Sequence, residues 1–212
     1  MVKAILFDFD GTLANTLPLC FKAFQHVFQS FDEIEHTDDA IKDMFGPSET
    51  GIINKNLKHK DTSRAIELYY ETYTLSHQEL VAEFPEMLNL LQDLKDKGYL
   101  LGIVTGKARR SLEISLEALN MSSLFDTVIT GDDVIQAKPH PEGIELALKK
   151  LKIDKEEVIF LGDSDADILA GKEAAISTMA VNWLPDYQAT FKVKPDHLLQ
   201  HVDELRAVIK SI

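Results

Sequence analysis

The sequence predicts an α/β protein: a doubly wound, Rossmann-like parallel sheet with an α-helical bundle inserted as a cap. Near-continuous apolar runs recur at 2–8, 99–105, 126–130, 157–162 and 177–182, the pattern of strands buried on both faces. Helical periodicity separates the later runs, giving the β–α–β–α alternation of a parallel sheet with right-handed crossovers. Two of the runs end in clustered acids, and open α/β sheets bind ligands at the carboxyl ends of their strands.

The first run delivers Asp8-Phe9-Asp10-Gly11-Thr12 at its end. The interval that follows breaks the rhythm, because it holds no buried strand pattern. Phe21, Phe24, Phe28 and Phe31 recur at helical spacing, Gly46-Pro47-Ser48 punctuates the middle, and Asp61-Thr62-Ser63 precedes Ile66, Tyr69, Tyr70 and Tyr73. Residues 15–81 are therefore expected to form a small helical cap, with 1–14 and 82–212 as one continuous core. A helix is expected over 85–97, where Leu88, Leu91 and Leu94 share a face, Pro85 suits the first turn and Gly98 follows the end. The run at 99–105 closes on Thr105, after which Gly106-Lys107 leads into a helix carrying Leu112, Leu116 and Leu119. Lys138-Pro139-His140-Pro141 forms a stiff turn before a helix with Ile144, Leu148 and Leu151 on one side. The run at 157–162 ends in Asp163-Ser164-Asp165-Ala166-Asp167, and Trp183 after the last run reads as a packing residue.

Composition sets the outer limits. The 212 residues, 45% hydrophobic and 27% charged, fit a soluble globular protein of one domain plus an insert. A net charge of -13, from 35 acids against 22 Lys and Arg, speaks against nucleic acid and anionic membranes as partners. It does not oppose a small anionic substrate, because a bound metal reverses the sign locally. Cys20 is the single cysteine, so no internal disulfide forms and a reducing, cytoplasmic setting is expected. The chain enters its first strand without a secretory leader pattern, and no apolar run approaches the roughly 20 residues that span a bilayer. A monomer or homodimer is expected.

With the two acid-bearing strands side by side, Asp8, Asp10, Asp163 and Asp167 converge. Two such charges about 4 Å apart repel by roughly 4 kcal/mol at an effective dielectric near 20. The cluster calls for a cation, and oxygen donors with no His or Cys beside them point to Mg²⁺. The seven histidines show no metal-ligand spacing. A strand-end carboxylate can attack phosphorus to give an aspartyl-phosphate, and a second carboxyl just beyond it can protonate the leaving oxygen and then activate water. Thr105 with the amides of the following turn forms a phosphate cradle, and Lys138 adds a fixed cation.

This order of motifs resembles the haloacid dehalogenase superfamily, across essentially the whole chain. Asp8-Phe9-Asp10-Gly11-Thr12-Leu13 is similar to its first motif, Thr105-Gly106 to the second, Lys138-Pro139 to the third, and Gly162-Asp163 through Asp167 to the fourth. The insert after strand one matches the helical cap of phosphoglycolate-phosphatase-like members. The resemblance implies a Mg²⁺-dependent phosphatase acting on a small phosphorylated metabolite, such as phosphoglycolate, a sugar phosphate or pyrophosphate. It casts Asp8 as nucleophile and Asp10 as general acid/base. Thr105 and the Gly106 amide would hold phosphoryl oxygens, with Lys138 neutralising transition-state charge. The metal would sit on Asp8, the Asp10 backbone carbonyl and Asp163, with Asp167 supporting that shell. The resemblance also makes Lys138-Pro139 a candidate cis peptide, and Ser48 and Glu49 candidate substrate contacts from the cap loop. Lys22 and Arg64 are further cap cations that could meet a substrate anion. Asp10 speaks against dehalogenation and phosphonate cleavage, and a two-component receiver would place its acids in another order. A sugar phosphomutase of the β-phosphoglucomutase type is the nearest alternative, since mutases often carry an acid where Gly162 stands. A non-catalytic phosphometabolite-binding protein is the alternative from another class.

Overall fold

The computed structural model of the chain describes residues 1–210. Among them, six parallel strands form one sheet: β1 Ala4–Phe7, β2 Leu100–Val104, β3 Thr127–Ile129, β4 Val158–Gly162, β5 Ser177–Val181 and β6 His197–Leu199, in the order β3-β2-β1-β4-β5-β6. The first strand lies at the centre, with Phe7 paired to Ile103 of β2 on one side and to Leu161 of β4 on the other. The register therefore brings the ends of three strands to one edge. Asp8 N–H still bonds Leu161 O at 2.8 Å, and Thr105 N–H bonds Ile129 O at 3.0 Å, so each chain leaves the sheet only after delivering its polar residue.

Helices cover both faces: α5 Pro85–Asp96, α6 Arg109–Ala118 and α9 Val202–Ile209 on one, α7 Glu142–Leu151 and α8 Asp165–Glu173 on the other. Strand side chains alternate between the faces. Ile5, Phe7, Leu101, Ile103, Ile159 and Leu161 join the first core, while Ala4, Leu6, Val104, Val158 and Phe160 join the second. Burial on both faces explains why these strands read as unbroken apolar runs. Gly98, at φ 84°, ends α5 in the left-handed region that a side chain would strain.

Four helices lie between β1 and α5: α1 Leu17–Asp32, α2 Asp38–Lys42, α3 Glu49–Asn56 and α4 Thr62–Leu80. The long pair α1 and α4 pack on each other, and α4 also rests on α6. Phe24 and Phe28 of the phenylalanine stripe are buried, Phe21 and Phe31 partly so, and the Phe24 ring meets Tyr69 of α4 at 4.6 Å. Burying each such ring contributes about 1.5–3 kcal/mol relative to exposure, which fixes α1 to α4. Asp61 caps α4 by accepting from Arg64 N–H at 3.0 Å. Strand β6 and helix α9 lie outside the sequence expectation, since two of the three β6 residues are exposed and leave no apolar run to detect. Among the described residues, no helix is long and apolar enough to cross a membrane.

Candidate active site

The site lies at the carboxyl edge of β1, β2 and β4. Asp8, directly after β1, accepts from Phe9 N–H at 2.7 Å through Oδ1 and faces Lys138 Nζ at 3.0 Å through Oδ2. The loop then turns at Gly11, φ 78°, where a Cβ would stand only 2.3 Å from Asp163 Oδ2. Only glycine allows that approach. Asp163 follows β4 and accepts from the hydroxyls of Thr12 at 3.2 Å and Tyr187 at 2.7 Å. Trp183 is buried and donates from Nε1 to Thr12 O at 2.7 Å, bracing the loop.

Asp167 sits in the first turn of α8. Ser164 and Asp167 form a reciprocal capping box, so Oδ2 accepts from Ser164 N–H at 3.0 Å while Oδ1 bonds Lys138 Nζ at 2.5 Å. Both oxygens are thus engaged, and Asp167 orients Lys138 toward Asp8. The Lys138–Pro139 peptide is cis.

One oxygen each from Asp8, Asp163 and Asp167 lies within 4.8 Å of the others, and all three residues are buried. Burial pushes the Asp163 carboxyl up to about 8, helped by the charges of Asp167 and Asp8. Burial also raises Asp8, to about 6, against the opposing pull of Lys138. Burial works against the Lys138 ammonium, but Asp167 and Asp8 more than offset it and hold the group above its usual range. Three carboxylates therefore face one ammonium, a surplus of negative charge that fits a hard divalent cation on oxygen donors. Asp10 stands apart from this trio by its side chain, which bonds the Thr16 hydroxyl and lies 3.0 Å from Lys107 Nζ.

The family model for haloacid dehalogenase-like hydrolases matches residues 5–181. The chain belongs to that family. The pyrophosphatase PpaX of Bacillus mycoides (strain KBAB4) is 34% identical over 215 residues, covering 100% of this chain and 98% of that protein. CbbY from Rhodobacter sphaeroides in complex with phosphate has a similar structure, with a TM-score of 0.83 at 25% identity over 97% of this chain and 96% of its own. A mutant of CbbY in complex with xylulose-(1,5)bisphosphate gives 0.82 at 25% identity over the same shares.

In this haloacid dehalogenase-like hydrolase a cavity of about 350 Å³ opens above the acids. Asp8, Asp10, Thr105, Gly106, Lys138 and Asp163 form its floor, while Leu17, Phe24, Phe45 and Ile52 give it an apolar roof on the side of α1 and α3. Its size falls at the small end of metabolite pockets. Lys42 at the end of α2 lines the cavity, whereas Lys22 and Arg64 are tied in exposed pairs with Glu79 at 3.3 Å and Glu71 at 3.0 Å.

The loop leading into α3 divides differently from the sequence expectation. Glu49 lines the cavity but is buried, its carboxylate taken up by Ala108 N–H and by the Ser111 hydroxyl at 2.5 Å. Ser48 does not line it. The Ser48 hydroxyl pairs with Thr50 Oγ1 at 3.0 Å, and its Cβ packs so closely on Gly131 that an added Cβ there would approach to 3.0 Å. Sequence reasoning passed over Lys107 and Lys42 because a lone lysine is ordinarily solvated. Lys107 is instead fully buried. Burial opposes its charge, but Asp10, Cys20, Tyr73 and Glu49 more than offset that and hold the ammonium well above its usual range. Its place directly after Thr105-Gly106, at the ligand-binding edge of the sheet, was the available signal.

Proposed function

We propose that this haloacid dehalogenase-like phosphatase is Mg²⁺-dependent and hydrolyses a small phosphorylated metabolite or pyrophosphate through an aspartyl-phosphate on Asp8. The observation that carries the reading is the buried Asp8–Lys138–Asp167 chain beside Asp163, on the floor of a metabolite-sized cavity. In this reading residues 15–81 act as a cap over the core formed by 1–14 and 82–212. Asp8 Oδ attacks phosphorus as the bond to the leaving oxygen breaks. Asp10 gives that oxygen a proton, then takes one from the water that attacks the aspartyl-phosphate, and inorganic phosphate leaves. Thr105 and the Gly106 amide hold phosphoryl oxygens, and Lys138, fixed by Asp167, neutralises charge that builds on them. Asp8, Asp163 and the Asp10 backbone carbonyl would hold Mg²⁺, with Asp167 supporting the shell; the ion's contribution when bound is neutralisation of phosphoryl and carboxylate charge. Closure of the roof over bound substrate would exclude bulk water.

Whole-length likeness to PpaX favours pyrophosphate as the first substrate to test, and Lys42 on the cavity wall, a cation for the carboxylate of phosphoglycolate, favours that ester as the second. The mutase alternative is weakened at Gly162, where a Cβ would lie 2.3 Å from Asp167 Cβ and Cγ, so an acid has no room there. Phosphate release should be measured with Mg²⁺ on pyrophosphate, phosphoglycolate and glucose 1-phosphate. One of the first two is expected to exceed glucose 1-phosphate in kcat/KM by at least about tenfold. Isomerisation of glucose 1-phosphate without phosphate release would establish a mutase instead. Tight binding with no turnover of any of the three would establish a binding protein.

A further inference from the structure

A three-charge relay centred on the buried Lys107 joins the cap to Asp10. Lys107 Nζ lies 3.0 Å from Asp10 Oδ1, 3.4 Å from Glu49 Oε1 and 3.5 Å from Cys20 Sγ, and 4.7 Å above the Tyr73 ring, with no side-chain exposure. Cys20 and Tyr73 belong to the cap helices α1 and α4, and Glu49 opens α3. Glu49 reaches Lys107 only because the start of α3 is seated on the start of α6, where Ala108 N–H and Ser111 hold its carboxylate. A lysine with no water around it is governed by the carboxylates it faces. An arrangement with α3 lifted off α6 would withdraw Glu49 and leave Asp10 as the sole carboxylate partner of Lys107. With the cap seated, the ammonium is shared between the two acids.

We propose that Lys107 is a positioning residue that couples cap closure to Asp10, with Glu49 as the cap's side of the coupling. The inference rests on the reading of Asp10 as general acid/base. Seating Glu49 fixes the ammonium of Lys107, 3.4 Å away, and Lys107 in turn holds the Asp10 carboxylate at 3.0 Å on the floor of the cavity, where the leaving oxygen would lie.

The test compares kcat/KM for an alkyl phosphate with that for p-nitrophenyl phosphate, whose leaving group departs without a proton. Lys107→Met and Glu49→Gln are each expected to lower the alkyl value at least about tenfold and the p-nitrophenyl value by less than about threefold. Asp10→Asn should lower the ratio likewise, and Lys107→Met added to Asp10→Asn should lower it no further. The double variant Glu49→Gln/Lys107→Met removes opposite charges together and serves if Lys107→Met alone does not fold. Equal losses on both substrates would make Lys107 a structural ion and overturn the proposal. An unaltered ratio in Glu49→Gln would overturn the coupling to the cap. An unaltered ratio in Asp10→Asn would instead refute the general-acid reading itself, a failure separate from that of Lys107.

Discussion

Asp8→Asn is expected to abolish turnover, lowering kcat by at least about 10⁴-fold on every substrate, because the amide cannot form the phosphoryl-enzyme. The fold should survive. Burial raises the Asp8 carboxyl to about 6, with Asp167 and Asp10 adding to it against the pull of Lys138, so ionising it costs more in the native state than in the unfolded chain. A neutral amide removes that penalty, and Lys138 keeps Asp167 as its partner at 2.5 Å. The metal-free melting temperature of the variant should therefore be no lower than that of the wild type at about pH 7.5. Phosphate release near the wild-type rate, in a folded variant, would remove Asp8 from the chemistry.

Removal of the divalent cation is expected to have the next largest effect. Treatment with EDTA should reduce phosphate release at least about 10³-fold, and Mg²⁺ should restore it and raise the melting temperature. Calcium should bind with little turnover, because its larger and looser shell does not hold the in-line geometry. The thermal effect carries a pH signature. Asp8 and Asp163 have folded pKa values raised to about 6 and about 8, above their unfolded values. The native state thus binds more protons than the unfolded chain between those limits, and the metal-free protein loses stability as pH rises through the window. A cation competes with those same protons. The Mg²⁺-induced rise in melting temperature should therefore be larger near about pH 8 than near about pH 5.5. Full activity after EDTA, or a rise that shrinks with pH, would contradict the metal site.

Five of the six strands were legible in the sequence because burial on both faces makes each an unbroken apolar run. Strand β6 was not, with only Leu199 of its three residues buried. The phenylalanine stripe predicted a helix core, since its period is a property of the segment itself. Convergence of Asp8, Asp163 and Asp167 was equally readable, because strand ends deliver the first two, a parallel sheet aligns strand ends, and Asp167 opens the helix that follows β4. Features set by how one element seats on another were not readable. The Asp10 side chain turns to Thr16 and Lys107 because the root of α1 and the turn after β2 meet there. Glu49 is buried because α3 seats on α6, and Ser48 turns away because it packs on Gly131. Tyr187 reaches Asp163 from a loop with no periodic pattern of its own.

The phosphoryl-enzyme itself can be trapped. Enzyme, substrate and Mg²⁺ mixed for milliseconds, quenched in acid and digested should yield the peptide spanning residue 8 with the added mass of one phosphoryl group. Borohydride reduction of that sample should convert residue 8 to homoserine, marking an acyl phosphate on Asp8. The label should vanish in Asp8→Asn and should form and decay at rates that account for kcat. Turnover at full rate with no phosphorylated peptide at any quench time, or with the phosphoryl group on another residue, would contradict a mechanism that runs through Asp8.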